Sequence, residues 1–165
     1  CNSSGVVSVF KHVIAIIALI VSFAKHSGQN CYNEAMEDSI FTKIIKGEIP
    51  CHKIYEDEKT IAFMDINPVQ PGMVVVATKV QVENFFSLED DDFTAVMRTA
   101  KLVARKLHEV FPTKKRIAMQ VEGLDVPHVH IKIFPIDAPA DFRAQPPRGE
   151  PDHAALAEIA KQLAF

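Results

Sequence analysis

The sequence predicts an α+β domain: a meandering antiparallel sheet of about five strands, covered by one long helix and shorter ones. Three observations carry this. Short β-prone runs occur both before and after one long amphipathic stretch. Their order is strands, a helix, then strands again, with no internal repeat. A length of 165 residues suits one domain, which can bury a core without staples.

The elements follow in order. Ser39–Lys46 carries Phe41, Ile44 and Ile45 at helical spacing and meets Gly47, so it reads as a short helix. Lys53–Glu56 and Thr60–Asp65 flank Asp57-Glu58-Lys59 as a hairpin. Two prolines and Gly72 make Ile66–Gly72 a loop, and Met73–Thr78 is a buried strand rich in valine. Ser87-Leu88-Glu89-Asp90 predicts a capping-box start, with Ser87 as the cap. Phe93, Val96, Met97, Ala100, Val103 and Leu107 then mark one face of the long helix, which ends before Pro112. The acidic run Glu89–Asp92 suits the positive end of its dipole. Ile117, Met119 and Val121 alternate as in a half-buried strand, and Val129–Phe134 is the next strand. Four prolines make Ala138–Pro151 a surface tail, and Asp152 caps a last helix that runs to Phe165.

Charge is nearly balanced, with 18 Lys+Arg against 21 Asp+Glu, which disfavours nucleic acid as the main ligand. The composition excludes long disorder, collagen and a disulfide scaffold. Residues 1–36 stand apart. Val13–Ala24 is an uncharged apolar run, short of the ~20 residues that span a bilayer, after Lys11 and His12. Three readings stay open: non-native or untranslated upstream sequence, a signal or anchor, or a lipid-modified Cys1. Cys1, Cys31 and Cys51 show no CxxC spacing, so neither zinc nor a disulfide framework is indicated. Cys51 reads as a reduced small hydrophobe.

Pro127-His128-Val129-His130-Ile131-Lys132-Ile133-Phe134-Pro135 is the most informative stretch. On a strand, His128, His130 and Lys132 share one face, ~6–7 Å apart, while Val129, Ile131 and Ile133 turn to the core. The row needs no burial of its own, and it suits an anionic substrate such as a phosphate. Lysine is a point-charge partner, and imidazole is a nucleophile or an acid. Incidental solvated histidines and a two-histidine metal site are the competing readings. No third ligand is evident, because nothing orients Asp125 or Glu122.

This stretch resembles the histidine-triad (HIT) family signature His-φ-His-φ-His-φ-φ, where φ is apolar. Collinear blocks extend the resemblance: Asp38-Ser-Ile-Phe-Thr-Lys-Ile-Ile-Lys-Gly-Glu-Ile-Pro50, Tyr55-Glu-Asp, Ala62-Phe-Met-Asp-Ile-Asn-Pro68 and Pro71-Gly72. It implies a HIT domain over 37–137, followed by a Pro-rich tail and helix over 138–165. It implies a nucleotide-binding hydrolase or nucleotidyl transferase acting at an α-phosphate, with phosphoramidates or dinucleoside polyphosphates as substrates. By the same match His130 attacks phosphorus and becomes a transient nucleotidyl-histidine, and His128 orients it. Asp65 binds the ribose hydroxyls, and Ile40, Phe41, Ile44 and Ile66 wall the base pocket. For these four apolar residues, ordinary core packing is the equal alternative. The resemblance also implies a purine nucleotide or its conjugate as ligand, a homodimer, no cofactor and a cytoplasmic location. Secretion or anchoring through Val13–Ala24 is the alternative.

Several positions depart from the family pattern. Lys132 stands in the place of the third histidine, and Gln81 where many members carry another. Ser39 and Thr42 stand where some members have a zinc-binding cysteine pair, so no metal is expected. The loop Gly123–Pro127 is shorter than the usual phosphate-facing loop. A non-catalytic nucleotide-binding or adaptor protein on the same fold is the second reading.

Overall fold

The computed structural model describes residues 37–165; Val13–Ala24, Cys1 and Cys31 lie outside the described residues. Helix α1 (Ile40–Ile45) is followed by strands β1 (Lys53–Glu56), β2 (Thr60–Met64) and β3 (Val74–Thr78). A 3₁₀ turn, Phe85–Ser87, leads into the 21-residue helix α2 (Asp90–Val110). Strands β4 (Arg116–Glu122) and β5 (His130–Ile136), a short helix α3 (Pro139–Phe142) and helix α4 (His153–Leu163) complete the chain. All pairings are antiparallel, in the order β1-β2-β3-β5-β4. The expected five-stranded α+β meander is present, with one non-sequential step: β5 sits between β3 and β4.

Strand alternation divides the molecule. Ala62, Met64, Val74, Val76, Ile131 and Ile133 face a layer of helices, where Val96, Ala100, Val103 and Leu107 of α2 meet Leu156, Ala160 and Leu163 of α4. Thr60 belongs to this side, and its hydroxyl is 2.8 Å from that of Thr99 on α2. The opposite face carries Ile61, Phe63, Val75 and Ala77, packed against Phe41 of α1. One face is therefore closed by two helices, the other by a helix of six residues.

The capping box is corrected. Ser87 closes the 3₁₀ turn through its N–H to the Asn84 carbonyl, so α2 starts two residues later, with Glu89 as N-cap and no side-chain cap. Leu88 packs against the helix-side core and sets where the helix can enter. The half-buried reading of β4 is also revised: Met119 and Val121 are exposed, because β4 is an edge strand. The last helix is capped as expected, with Asp152 Oδ1 accepting from the Ala154 and Ala155 amides at 3.1 and 3.0 Å.

Gly72 shapes the loop that follows β2. Its φ of +87° lies in the left-handed region, and a Cβ there would meet the Phe111 ring at 2.6 Å. The loop then closes through the Asp65 N–H, which donates to the Met73 carbonyl at 3.0 Å.

Candidate active site

The site is assembled on β5 and the residues just before it. His128 and His130 are buried, and only Lys132 of the expected row is partly open, so the face is not the solvent-facing row that strand alternation allows. The cause is α1, whose Phe41 ring approaches the two imidazoles edge-on at 5.8 and 4.9 Å between centroids.

The hydrogen bonds fix both tautomers. His128 Nε2 lies 2.7 Å from the Thr78 carbonyl, which can only accept, so Nε2 carries the proton. Its Nδ1 then accepts from the Ser39 hydroxyl at 2.7 Å. Ser39 is the N-cap of α1, and its oxygen also accepts from the Thr42 amide at 3.1 Å. Gln81 Oε1 accepts from the Ser39 N–H at 2.9 Å and from the Thr42 hydroxyl. The cap that starts α1 thus holds His128 by its second nitrogen.

His130 is held from one side only. Its Nδ1–H donates to the His128 carbonyl at 2.8 Å, which leaves the lone pair on Nε2. Nε2 has no hydrogen-bond partner among the described residues. No buried side-chain nitrogen or oxygen there lacks one, so Nε2 keeps access to the surface. Burial pushes both imidazoles below the ordinary histidine value. The backbone carbonyl accepting from each works against this, and the Lys132 charge lowers His130 further. A neutral, oriented imidazole with a free nitrogen is a nucleophile near neutral pH.

Asp65 follows β2 on the histidine face, and its charge acts on His130. One carboxylate oxygen accepts from the Asn67 amide at 2.8 Å, which orients the group and leaves its other oxygen without a hydrogen-bond partner among the described residues. Phe41 belongs to the small core on this face, and Ile44 packs against it. Ile40 is 47% exposed, so core packing does not describe it. Ile66, at 46% exposure, lines a cleft of ≈500 Å³ with Pro147 of the tail and Ala155, Leu156 and Ile159 of α4. That cleft lies on the helix side.

Three contributors are missed by sequence reasoning. Phe63, two residues before Asp65, packs beside Phe41 at 5.6 Å, and the period of two in β2 carries that signal. Ser39 matters through its cap position. Glu122 pairs with Lys132, Nζ to Oε1 3.1 Å, and only the β4–β5 register reveals this. Among the described residues, no group of three or more His, Cys, Asp or Glu could hold a metal ion. Cys51 is a free, half-buried thiol whose pKa is raised by burial.

An antiparallel sheet that fixes one imidazole through both ring nitrogens, and presents the free nitrogen of a second beside a carboxylate, defines a histidine-centred site on an α+β fold. Residues 46–138, more than half of the chain, match the HIT domain, and the chain belongs to the HIT family. An uncharacterised HIT-like protein of Methanocaldococcus jannaschii is 37% identical over 99 residues, 58% of this chain and 77% of that protein. The adenosine 5′-monophosphoramidase of Saccharomyces cerevisiae is 31% identical over 129 residues, 75% of this chain and 79% of that enzyme. A HIT-like protein involved in cell-cycle regulation from Bartonella henselae aligns with a TM-score of 0.69 at 28% identity, covering 78% of this chain and 95% of that one. The expected HIT-like fold is thereby shown.

Proposed function

We propose that the protein is a nucleotide hydrolase or nucleotidyl transferase acting on the α-phosphate of a purine nucleoside phosphoramidate or dinucleoside polyphosphate. The carrying observation is the free Nε2 of a neutral His130, with Nδ1–H fixed on the His128 carbonyl. In the first step the Nε2 lone pair attacks phosphorus, the bond from phosphorus to the leaving nitrogen or oxygen breaks, and the leaving group takes that electron pair. An amine leaving group also takes a proton from solvent. Water or another acceptor then attacks the nucleotidyl-histidine and gives up its proton to solvent, releasing the nucleotide and returning the lone pair to Nε2.

His128 acts by position. Asp65 accepts from ribose hydroxyls, Lys132 holds phosphoryl oxygens by charge, and Ile40, Phe41 and Ile44 border the base, whereas Ile66 faces the helix-side cleft. Support for an amine leaving group comes from the monophosphoramidases among the relatives. The test is amine release from adenosine 5′-phosphoramidate by wild type and His130→Ala, together with trapping of labelled nucleotide on the protein. Equal rates, or no trapped adduct on wild type, overturn the covalent reading. Nucleotide binding without turnover would establish the adaptor reading.

The reading includes a homodimer. Exposed Met119 lies beside Met97, Ala100 and Ala104 of α2, forming an apolar trough at the open sheet edge. A second copy related by a two-fold axis is the partner this face favours. A monomeric mass for wild type in sedimentation would remove this part. We assign the chemistry to 37–137, with 138–165 as an accessory tail. We place its action in the cytoplasm, with export through Val13–Ala24 as the alternative; mass spectrometry of the native N-terminus separates the two. Among the described residues, no helix is long and apolar enough to cross a membrane.

A further inference from the structure

We propose that Glu122 is a positioning residue of this site: it holds the Lys132 ammonium beside His130, and the ion pair works where other members have a third histidine. The inference rests on the nucleotidyl-transfer reading above and adds to it a residue and a means of handling charge.

The sheet register carries it. Glu122 lies directly opposite His130, and Gln120 opposite Lys132. Directly opposed residues share a face with Cβ atoms ~4.5–5.5 Å apart, and the diagonal neighbours, here Glu122 and Lys132, are ~7–8 Å apart. Lysine and glutamate are both long enough to close that diagonal, and they do so at 3.1 Å. Their side chains are 22% and 24% exposed, so the pair is partly withdrawn from water, where screening is weaker. On the other side of β5, Val75 opposes Lys132 and Ala77 opposes His130, and neither offers a polar partner. Glu122 is the one carboxylate bonded to Lys132 among the described residues.

A lysine stem is flexible, and an unanchored ammonium would spend its time in solvent. Anchored by Glu122, it stays on the strand face that carries His130. The anchor also sets the charge. The fixed charges acting on His130 are Lys132 from β5 itself, Glu122 from β4 and Asp65 from the β2–β3 loop. Two negative groups and one positive group face an incoming anionic phosphate. When phosphoryl oxygens arrive, Lys132 exchanges the carboxylate for them, and the cation is engaged where charge develops during attack. Histidine at this place would carry no such fixed charge; lysine carries it permanently and needs a partner that releases it to substrate.

Steady-state kinetics on the full chain with adenosine 5′-phosphoramidate tests this. Glu122→Gln is expected to lower kcat about tenfold without raising KM, because one negative charge facing the phosphate is gone while the cation loses its anchor. The acid limb of kcat/KM moves to lower pH in Glu122→Gln and to higher pH in Lys132→Met, because the carboxylate raises the His130 pKa and the ammonium lowers it. In a Lys132→Met background, Glu122→Gln has no further effect on kcat, since the positioned group is absent. Glu122→Asp restores part of the rate and carries the test if Glu122→Gln fails to fold. Additive losses in the double variant, or an unchanged kcat and acid limb in Glu122→Gln, overturn the inference while wild type turns over. A wild type without turnover overturns the underlying reading, and the inference with it.

Discussion

Ile131 and His130 are neighbours on β5 and almost equally buried, at 0% and 2% exposure, yet they are held in different ways. Ile131 lies among the side chains of two helices and needs nothing but shape. His130 lies under a six-residue helix and is positioned by one hydrogen bond, which leaves a ring nitrogen free. The helix side is mainly apolar and packed by shape. The histidine side joins a small apolar cluster to two hydrogen-bonded imidazoles and leaves one ring nitrogen unbonded among the described residues. Stability and chemistry are separated by the pleat of one strand, so a substitution should act mainly on one or the other according to parity.

His130→Ala should have the largest effect on rate, lowering amine release by roughly 10³-fold or more in protein that remains folded. Leu107→Ala is the mirror case. Leu107 is fully buried against the helix-side core, so about 3 kcal/mol of stability should be lost, with kcat retained at a temperature where the variant is folded. Denaturant unfolding and a rate assay on the same samples decide both. Ser39→Ala belongs to the histidine side yet should cost both properties. It removes the α1 cap and the donor to His128 Nδ1, worth about 2 kcal/mol together, and it leaves the His128 ring held chiefly through Nε2 on the Thr78 carbonyl, so kcat should fall as well.

The pH dependence sharpens the same contrast. Both histidines are held below the ordinary value of about 6.5, chiefly by burial. The unfolded chain therefore binds more protons than the folded one in the window below that value. Stability from this source is complete above about pH 6.5 and is lost as pH falls through the window. The acid limb of kcat/KM should likewise lie below about 6.5. Melting midpoints measured across pH should show a shallower acid decline in His130→Ala than in wild type. An acid limb above the ordinary imidazole value would contradict the burial account. The smallest effect is expected from Asp152→Ala, about 1 kcal/mol from the lost cap of α4, with no change in kcat.

Much of the fold was legible because local patterns suffice for it. The period of two in β2 and β5, the helical period of α2, and the glycines and prolines between elements each act within a few residues. The site was legible in part. His128, His130 and Asp65 could be named from spacing and resemblance, but their burial could not, because it depends on α1 folding back with Phe41 over the sheet. Ser87 illustrates the opposite failure: its capping sequence is locally sound, and the competing 3₁₀ turn through Asn84, with Leu88 packed on the core, displaced it. Met119 and Val121 carried a correct strand signal and a wrong burial, since periodicity cannot tell an edge from a centre.

Which residues alternate, and so which of them can share a face, is written in the local pattern of the chain. What each face meets follows from the fold. It placed β5 between β3 and β4, brought Glu122 opposite His130, and turned the cap of α1 into the second ligand of His128. The physical reason is range. Alternation and capping are contacts between residues a few positions apart, whereas register and the pairing of Ser39 with His128 join segments far apart in the chain, and their energies exist only once it has folded.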